Sequence, residues 1–444
     1  MGYNICMISD FFYPNVGGVE SHIFQLSLCL IELGHSVTIV THAYGDRKGV
    51  RYITKGIKTY YLPFKPVYNQ AILPSFILTI PLLRNIFIRE QIEIVHAHGA
   101  FSVIGNQALF HAIFLNPDLK TVFTDHSLFG FADTSAIITN KVLQIALWNV
   151  DSAICVSHTG KENTVLRGKV KPELIYVIPN AVDTRVFYPH LSCDSGGGRI
   201  GLVVMSRLVY RKGIDILGKI MVPLCEKYPN VHFHIGGDGP KMVLLEEITE
   251  KNNLQDRVFF YGSVKHERVR DILVKGNVFL NMSLTEAFCT AIVEAACCGL
   301  HVVSTRVGGV PEVLPPEVMT LAPVDPSLYL KAVESVLDKY LTGDILDREQ
   351  TSRLASGIYK WKDMAQRTQV VYDNIFRRDA DCEGSRKHDY PGNPKRSLYN
   401  IGVFFGKIAY IIALWNMLLI LICDKLFPKE TIDTCPKLLT KKKL

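Results

Sequence analysis

One feature constrains this chain more than any other: an alternation of short apolar runs and longer amphipathic stretches that is played through twice. Runs at residues 4–9, 36–41, 92–96, 120–124 and 152–156 are separated by helix-length segments, among them 20–33 and 137–148. After a break, runs at 200–205, 231–235, 257–261, 277–281 and 301–304 repeat the pattern. The helical stretches between them fall at about 214–227, 240–251, 266–275, 286–298 and 326–342. Continuous β-branched runs mark strands buried on both faces, and their alternation with helices marks a parallel sheet. The expected fold class is therefore α/β, with two Rossmann-like domains facing across a cleft and ligands at the carboxyl ends of the strands. The break at 179–198 (PNAVD, then YPH, then DSGGGR) has the composition of a linker. The expected domains are residues 1–186 and 199–352. A helix at 353–378 and a polar linker at 379–397 follow.

The C-terminal region is of another kind. Residues 398–423 form the most apolar stretch, with Lys407 as its one charge. As a helix it would be roughly 39 Å long, enough for one bilayer crossing. The uncharged part, 408–423, reaches only roughly 24 Å, so Lys407 must snorkel or the helix must lie at the interface. The N-terminus, MGYNICMISDFFYP, has no basic segment leading into a long apolar core, so no secretory signal is read there. Eleven cysteines without a C-x-x-C pair fit reduced, buried thiols. The expectation is a single-pass protein of the endoplasmic reticulum membrane, with both domains cytosolic and the tail 424–444 lumenal. The terminal KKKL would act as a retrieval signal only on a cytosolic tail, and is taken as coincidence. A net charge of +7, with no long basic run interleaved with aromatics, excludes nucleic acid as a partner and suits lipid headgroups or diphosphates.

Four segments carry chemistry. Gly17 and Gly18 join the first strand to a helix near Glu20, where backbone can approach a ligand closely; a plain tight turn fits them equally. Arg207, Arg211 and Lys212 follow the first strand of the second domain, where fixed cations would stabilise a departing diphosphate. Residues 235–240, IGGDGP, bring Gly237 to another close turn, with Pro240 read as the first helical residue. The sharpest constellation is SLTEAFCTAIVEAACCG at 283–299. Thr285 is expected to cap a helix starting at Glu286, with Glu294 two turns further along the same helix. Two carboxylates so spaced suit two sets of hydroxyls on either side of a diphosphate resting on the helix N-terminus. His96 and His98 end a strand, but with no clear third ligand they are not read as a metal site.

Together, Arg207 with Lys212, the glycines at 236–239 and Glu286 with Glu294 resemble the retaining GT-B glycosyltransferases over about residues 3–378. Longer strings (FFYPNVGGVESHIFQL, VFTDHSLFGFAD, SRLVYRKGID, SLTEAFCTAIVEAA) are most similar to the family of phosphatidylinositol N-acetylglucosaminyltransferase catalytic subunits, which begin glycosylphosphatidylinositol (GPI) anchor synthesis. The resemblance implies UDP-N-acetylglucosamine as donor, phosphatidylinositol as acceptor, retention of configuration, no metal or other cofactor, and other subunits of a membrane complex as partners. It also implies residue roles. Arg207 and Lys212 would hold the diphosphate, and Glu294 the ribose. Glu286 would contact the sugar, and the amides near Phe288 and Cys289 the phosphate. His126 would lie near the donor sugar, and Gly17 and Gly18 between donor and acceptor. One departure is Ala287, where the broader family often has Pro. A phosphatidylinositol mannosyltransferase and a nucleotide-sugar 2-epimerase are the alternative readings; the epimerase would need no membrane anchor.

Overall fold

A computed structural model describes residues 2–15, 17–128, 134–190, 198–381, 398 and 401–435. The chain divides into two units: residues 1–178 with 362–444, and residues 179–361 between them.

Unit 1 opens with β1 (Asn4–Ile8), α1 (Gly18–Glu32) and β2 (Ser36–His42). An edge region follows: β3 (Gly49–Tyr52), β4 (Lys58–Leu62), β5 (Pro66–Tyr68) and β6 (Ala71–Ile72). The alternation then resumes with α2 (Phe76–Arg89), β7 (Ile94–His98), α3 (Val103–Leu115) and β8 (Lys120–Asp125). It closes with α4 (Thr134–Ala146), β9 (Ser152–Cys155), α5 (His158–Gly168) and β10 (Ile175–Val177). Eight strands form one sheet in the order β10-β9-β8-β7-β1-β2-β4-β3, in which only β3 runs antiparallel to its neighbour. Its central strands are buried along their whole length, including the polar Asn4 of β1 and His96 and His98 of β7.

Unit 2 contains β11 (Ile200–Met205), α6 (Ile214–Lys227), β12 (Val231–Gly236), α7 (Met242–Lys251), β13 (Val258–Gly262) and α8 (His266–Leu273). After these come β14 (Val278–Asn281), α9 (Thr290–Cys297), β15 (His301–Thr305), β16 (Met319–Ala322), α10 (Pro326–Thr342) and α11 (Arg348–Ile358). Its all-parallel sheet has the order β13-β12-β11-β14-β15-β16. That is the doubly wound order, whose direction reverses between β11 and β14. Unit 1 reverses in the same way between β1 and β7. The chain returns to unit 1 through α12 (Trp361–Asp381) and ends its described helices with α13 (Val403–Leu426).

Three expected boundaries move. Residues 179–190 are not a linker: Phe187 is buried against the His266 ring at 5.4 Å, and the Arg270 guanidinium lies 3.6 Å from the Tyr188 ring centre, so this stretch wraps onto unit 2. The single helix expected at 353–378 is two, α11 and α12. Tyr359 leaves helical geometry between them (φ −122°, ψ 86°) and spends its hydroxyl on Val313 O at 2.6 Å. The apolar helix spans 403–426 rather than 398–423. It is the one described helix long and apolar enough to cross a membrane, and it packs against α2, α3 and α4. Of the linker expected at 379–397, residues 379–381 still belong to α12, and 382–397, like the terminal KKKL, lie outside the described residues.

Candidate active site

In doubly wound sheets, ligands bind at the carboxyl ends of the strands where the order reverses. Each unit gathers its unusual side chains at that place.

In unit 2 the loop after β11 carries Arg207 and the short turn Tyr210–Lys212. Arg207 is exposed, and Lys212 is half-buried and paired with the Glu286 carboxylate. Glu286 stands on the loop after β14, where Ser283 Oγ donates to it at 2.8 Å and the Gly309 amide donates to its main-chain oxygen at 3.0 Å. Burial works to lower the Lys212 pKa; the Cys289 and Glu286 side chains outweigh it and hold the ammonium above its ordinary range. A cation is thus kept charged inside a partly dry loop pair. Burial, with Glu286 beside it, pushes the Cys289 thiol up to about 12, which favours the protonated form.

The helix expected from Glu286 does not start there. Cys289 takes left-handed geometry (φ 67°), which no helix interior admits, so α9 begins at Thr290 and Thr285 caps nothing. Glu286 and Glu294 are therefore not on one helix: the first is on the loop and the second is in α9. Glu294 accepts from His266 Nε2 at 3.1 Å, and this bond is the main reason the His266 pKa is raised. No sequence pattern points to His266, which lies on α8, 28 residues from Glu294. Phe288 is buried edge-on against Tyr359, at 5.3 Å between ring centres. Gly237 sits in a crowded turn that only glycine fits: its φ is 127°, and a Cβ there would lie 1.8 Å from Ser206 O. Pro240 precedes the helix rather than opening it, since α7 begins at Met242.

In unit 1 the corresponding end of the sheet is lined with histidines. His98 closes β7, His126 follows β8, and His22 comes from the first turns of α1. One ring nitrogen from each lies within 4.8 Å of the others, and His98 Nδ1 is 3.4 Å from His126 Nε2. His96 stacks on His98 but has both nitrogens engaged, by the Tyr372 hydroxyl and by Thr124 Oγ1, each at 2.7 Å. Burial lowers the pKa of His96 to about 3 and puts His98 and His126 well below their ordinary range, so these rings are neutral near pH 7. The pair His96 and His98 is thus not the relevant grouping. The third member, His22, was legible only as a polar residue on a face of α1 that also buries Ile23 and Leu26. Neutral imidazoles so placed can exchange hydrogen bonds with hydroxyls, and they are also the cluster that a soft cation would find. Gly17 precedes α1, where a Cβ would fall 2.5 Å from Glu20 Oε2; Gly18 opens the helix, exposed.

Comparison with known proteins bears on these arrangements. A family described as PIGA (GPI anchor biosynthesis) matches residues 42–133, and one described as glycosyl transferases group 1 matches residues 195–355. A human phosphatidylinositol N-acetylglucosaminyltransferase subunit is 49% identical over 97% of this chain and 87% of its own length. The Arabidopsis thaliana protein of the same name is 48% identical over 97% and 94%. The chain belongs to this phosphatidylinositol N-acetylglucosaminyltransferase family. Solved structures agree on the fold of this family member. Sucrose-phosphate synthase from Thermosynechococcus elongatus superposes with a TM-score of 0.69 at 20% identity, over 84% of this chain and 98% of that one. The Anabaena protein HepE in complex with UDP gives 0.65 at 15%, over 84% and 100%. The fold is GT-B, and this N-acetylglucosaminyltransferase family member is a glycosyltransferase of GPI-anchor biosynthesis.

Proposed function

We propose that this enzyme transfers N-acetylglucosamine from UDP-N-acetylglucosamine to phosphatidylinositol, the first step of GPI-anchor biosynthesis, with retention of configuration. The observation that carries this reading is the charged loop pair at the reversal point of unit 2, with Lys212 held protonated against Glu286, in a chain 49% identical to a protein named for that reaction. The bond from the anomeric carbon to the diphosphate oxygen breaks as a bond to an inositol hydroxyl forms on the same face. The hydroxyl proton leaves toward the departing diphosphate. Lys212 and Arg207 take up the charge that develops on that diphosphate. Glu294, held by His266, accepts from the ribose hydroxyls, and Glu286 accepts from the sugar. The amides of Phe288 and Cys289 face phosphate, with Gly237 allowing close backbone approach. In unit 1, His126 bonds the donor sugar, and Gly17 and Gly18 line the acceptor side.

The reading includes no metal: the cations at 207 and 212 do the work a divalent ion would do. It also places the enzyme at the endoplasmic reticulum membrane with both units cytosolic, as one component of a larger complex, in keeping with its relatives being named as subunits. Incubation of membranes containing the protein with labelled UDP-N-acetylglucosamine and phosphatidylinositol should yield labelled N-acetylglucosaminyl-phosphatidylinositol. A product formed only from a mannosyl donor, or free sugar without glycolipid, would refute the assignment.

A further inference from the structure

The edge region of unit 1, from the turn before β3 to the start of α2, differs from the rest of the chain in charge. Residues 47–89 hold eight Lys and Arg and not one Asp or Glu. The whole chain carries +7, so the remaining residues together carry −1. The same stretch leaves large apolar side chains open. Val67 and Tyr68 on the β5–β6 hairpin, Leu73 just after it, and Ile77 and Leu78 in the first turn of α2 are exposed, Tyr68 by 77% and Ile77 by 70%. A single exposed apolar residue is ordinary, but five within twelve residues form a patch. The patch is held from behind. The Ala43 amide, after β2, donates to Phe64 O at 3.2 Å, and the Ile72 amide in β6 donates to Asp10 Oδ1 at 3.1 Å. Asp10 follows β1 and is fully buried; it also accepts from Ser102 Oγ at 2.7 Å and from the Ile104 amide at 2.9 Å, where α3 starts. These bonds tie the hairpin to the carboxyl ends of β1 and β2, the end of the sheet that carries Gly17, Gly18 and the three clustered histidines.

Exposed cations stand at the same end. Lys65 leads into the hairpin, and Arg47 and Lys48 precede β3. β3 starts at Gly49, opposite Tyr61 near the end of β4, and the Arg47 guanidinium lies 5.8 Å from the Tyr61 ring centre. We propose that the β5–β6 hairpin and the first turn of α2 form a lip that docks unit 1 on the bilayer surface. Leu73, Ile77 and Leu78 enter the acyl region of one leaflet, Tyr68 sits at headgroup level, and Arg47, Lys48 and Lys65 engage anionic headgroups. A soluble acidic partner would answer the cations and leave the apolar side chains in water; an apolar protein surface would do the reverse. A bilayer answers both at once. The stretch also falls inside residues 42–133, the part matched by the GPI-anchor family model. The lip rests on the transferase reading for its purpose: an acceptor whose acyl chains stay in the leaflet meets the Gly17–Gly18 side only where that end of unit 1 reaches the surface.

Two measurements on the full chain in microsomes decide it. A benzoylphenylalanine photo-crosslinker placed at Leu73 or Ile77 should give lipid adducts on irradiation. The same group at Leu166, 66% exposed in the last turn of α5 at the opposite end of the sheet, should not. Adducts to another protein at Ile77, no adduct there, or equal lipid adducts at Leu166 would overturn the proposal. The second measurement is kinetic. The exposed pair changed together, Ile77→Asp with Leu78→Asp, should raise the KM for phosphatidylinositol roughly tenfold or more, the worth of burying one such side chain, with the KM for UDP-N-acetylglucosamine unchanged. An unchanged acceptor KM, or an equal rise in both, would overturn the lip. Lipid adducts at Ile77 in membranes that make no glycolipid would uphold the lip and overturn the proposed reaction instead.

Discussion

The two reversal points have the same topology and opposite electrostatics. In unit 2 the loops after β11 and β14 bring together permanent charges, Lys212 with Glu286 and Arg207 nearby, in half-exposed positions. In unit 1 the segments after β7 and β8 bring together imidazoles that burial keeps neutral. One fold thus offers two kinds of site. Fixed charge answers a ligand that changes its charge during reaction, while neutral, two-sided donors and acceptors answer hydroxyls, which need orienting rather than neutralising.

The largest expected effect lies on the charged side. Lys212→Ala or Arg207→Ala should lower turnover on the order of a hundredfold, a loss of about 2.7 kcal/mol of transition-state stabilisation. Steady-state rates on folded variants check this, and wild-type rates in Lys212→Ala would remove the diphosphate from this loop. Next is Glu294→Ala. Ribose hydroxyls left unpaired cost about 1–3 kcal/mol, so donor KM should rise roughly tenfold to a hundredfold with a smaller change in kcat. A variant whose KM is unchanged would move the ribose elsewhere.

Acid should separate the units more gently, and in opposite directions. His96 and His98 have folded pKa values below the unfolded one. They therefore contribute stability above about pH 6.5, and it is lost as pH falls, by about 1.4 kcal/mol per histidine per pH unit. His266 is raised, so its contribution is full below about pH 6.5 and fades as pH rises through its folded value. Half-exposed, it should shift melting only on the order of 1 °C. Melting of the wild type and of His266→Ala across pH 5–8 reads both slopes; a His266→Ala deficit that grows with rising pH would contradict the raised value. The smallest expected effect is none: EDTA should leave transfer intact. Loss restored by a divalent cation would instead point to His22, His98 and His126 as its ligands.

What could be read in advance follows from the range of the interactions involved. Ten strands of the two sheets lie within a residue or two of their expected places, because a run such as IGLVVM buries on both faces whatever surrounds it, whereas β3, β4, β10 and β16, toward the sheet edges, were not expected. The loops that carry Lys212 and Glu286 were legible because each follows a strand at a reversal point of the sheet. The start of α9 was not, since it turns on one backbone angle at Cys289, a residue with no ordinary preference for left-handed geometry. Nor was the docking of α13. Its lone amide, Asn416, was visible in an apolar helix, but the partner His111 is 305 residues away, and periodicity cannot report a contact at that separation.

The place of α12 has a consequence for how the molecule is made. Unit 2 is one uninterrupted stretch, 179–361, whereas unit 1 is begun by residues 1–178 and finished only afterwards. Its completion depends on Tyr372 reaching His96, Asp373 reaching the Tyr3 hydroxyl and Arg378 reaching Ser152 Oγ, each at 2.7 Å. As the ribosome delivers the chain in order, unit 2 has every residue it needs while unit 1 still waits for its last helix. The first half to be synthesised is therefore the last to be sealed, and a chain ending just after residue 361 would have every residue of unit 2 while the socket at His96 in unit 1 stayed open.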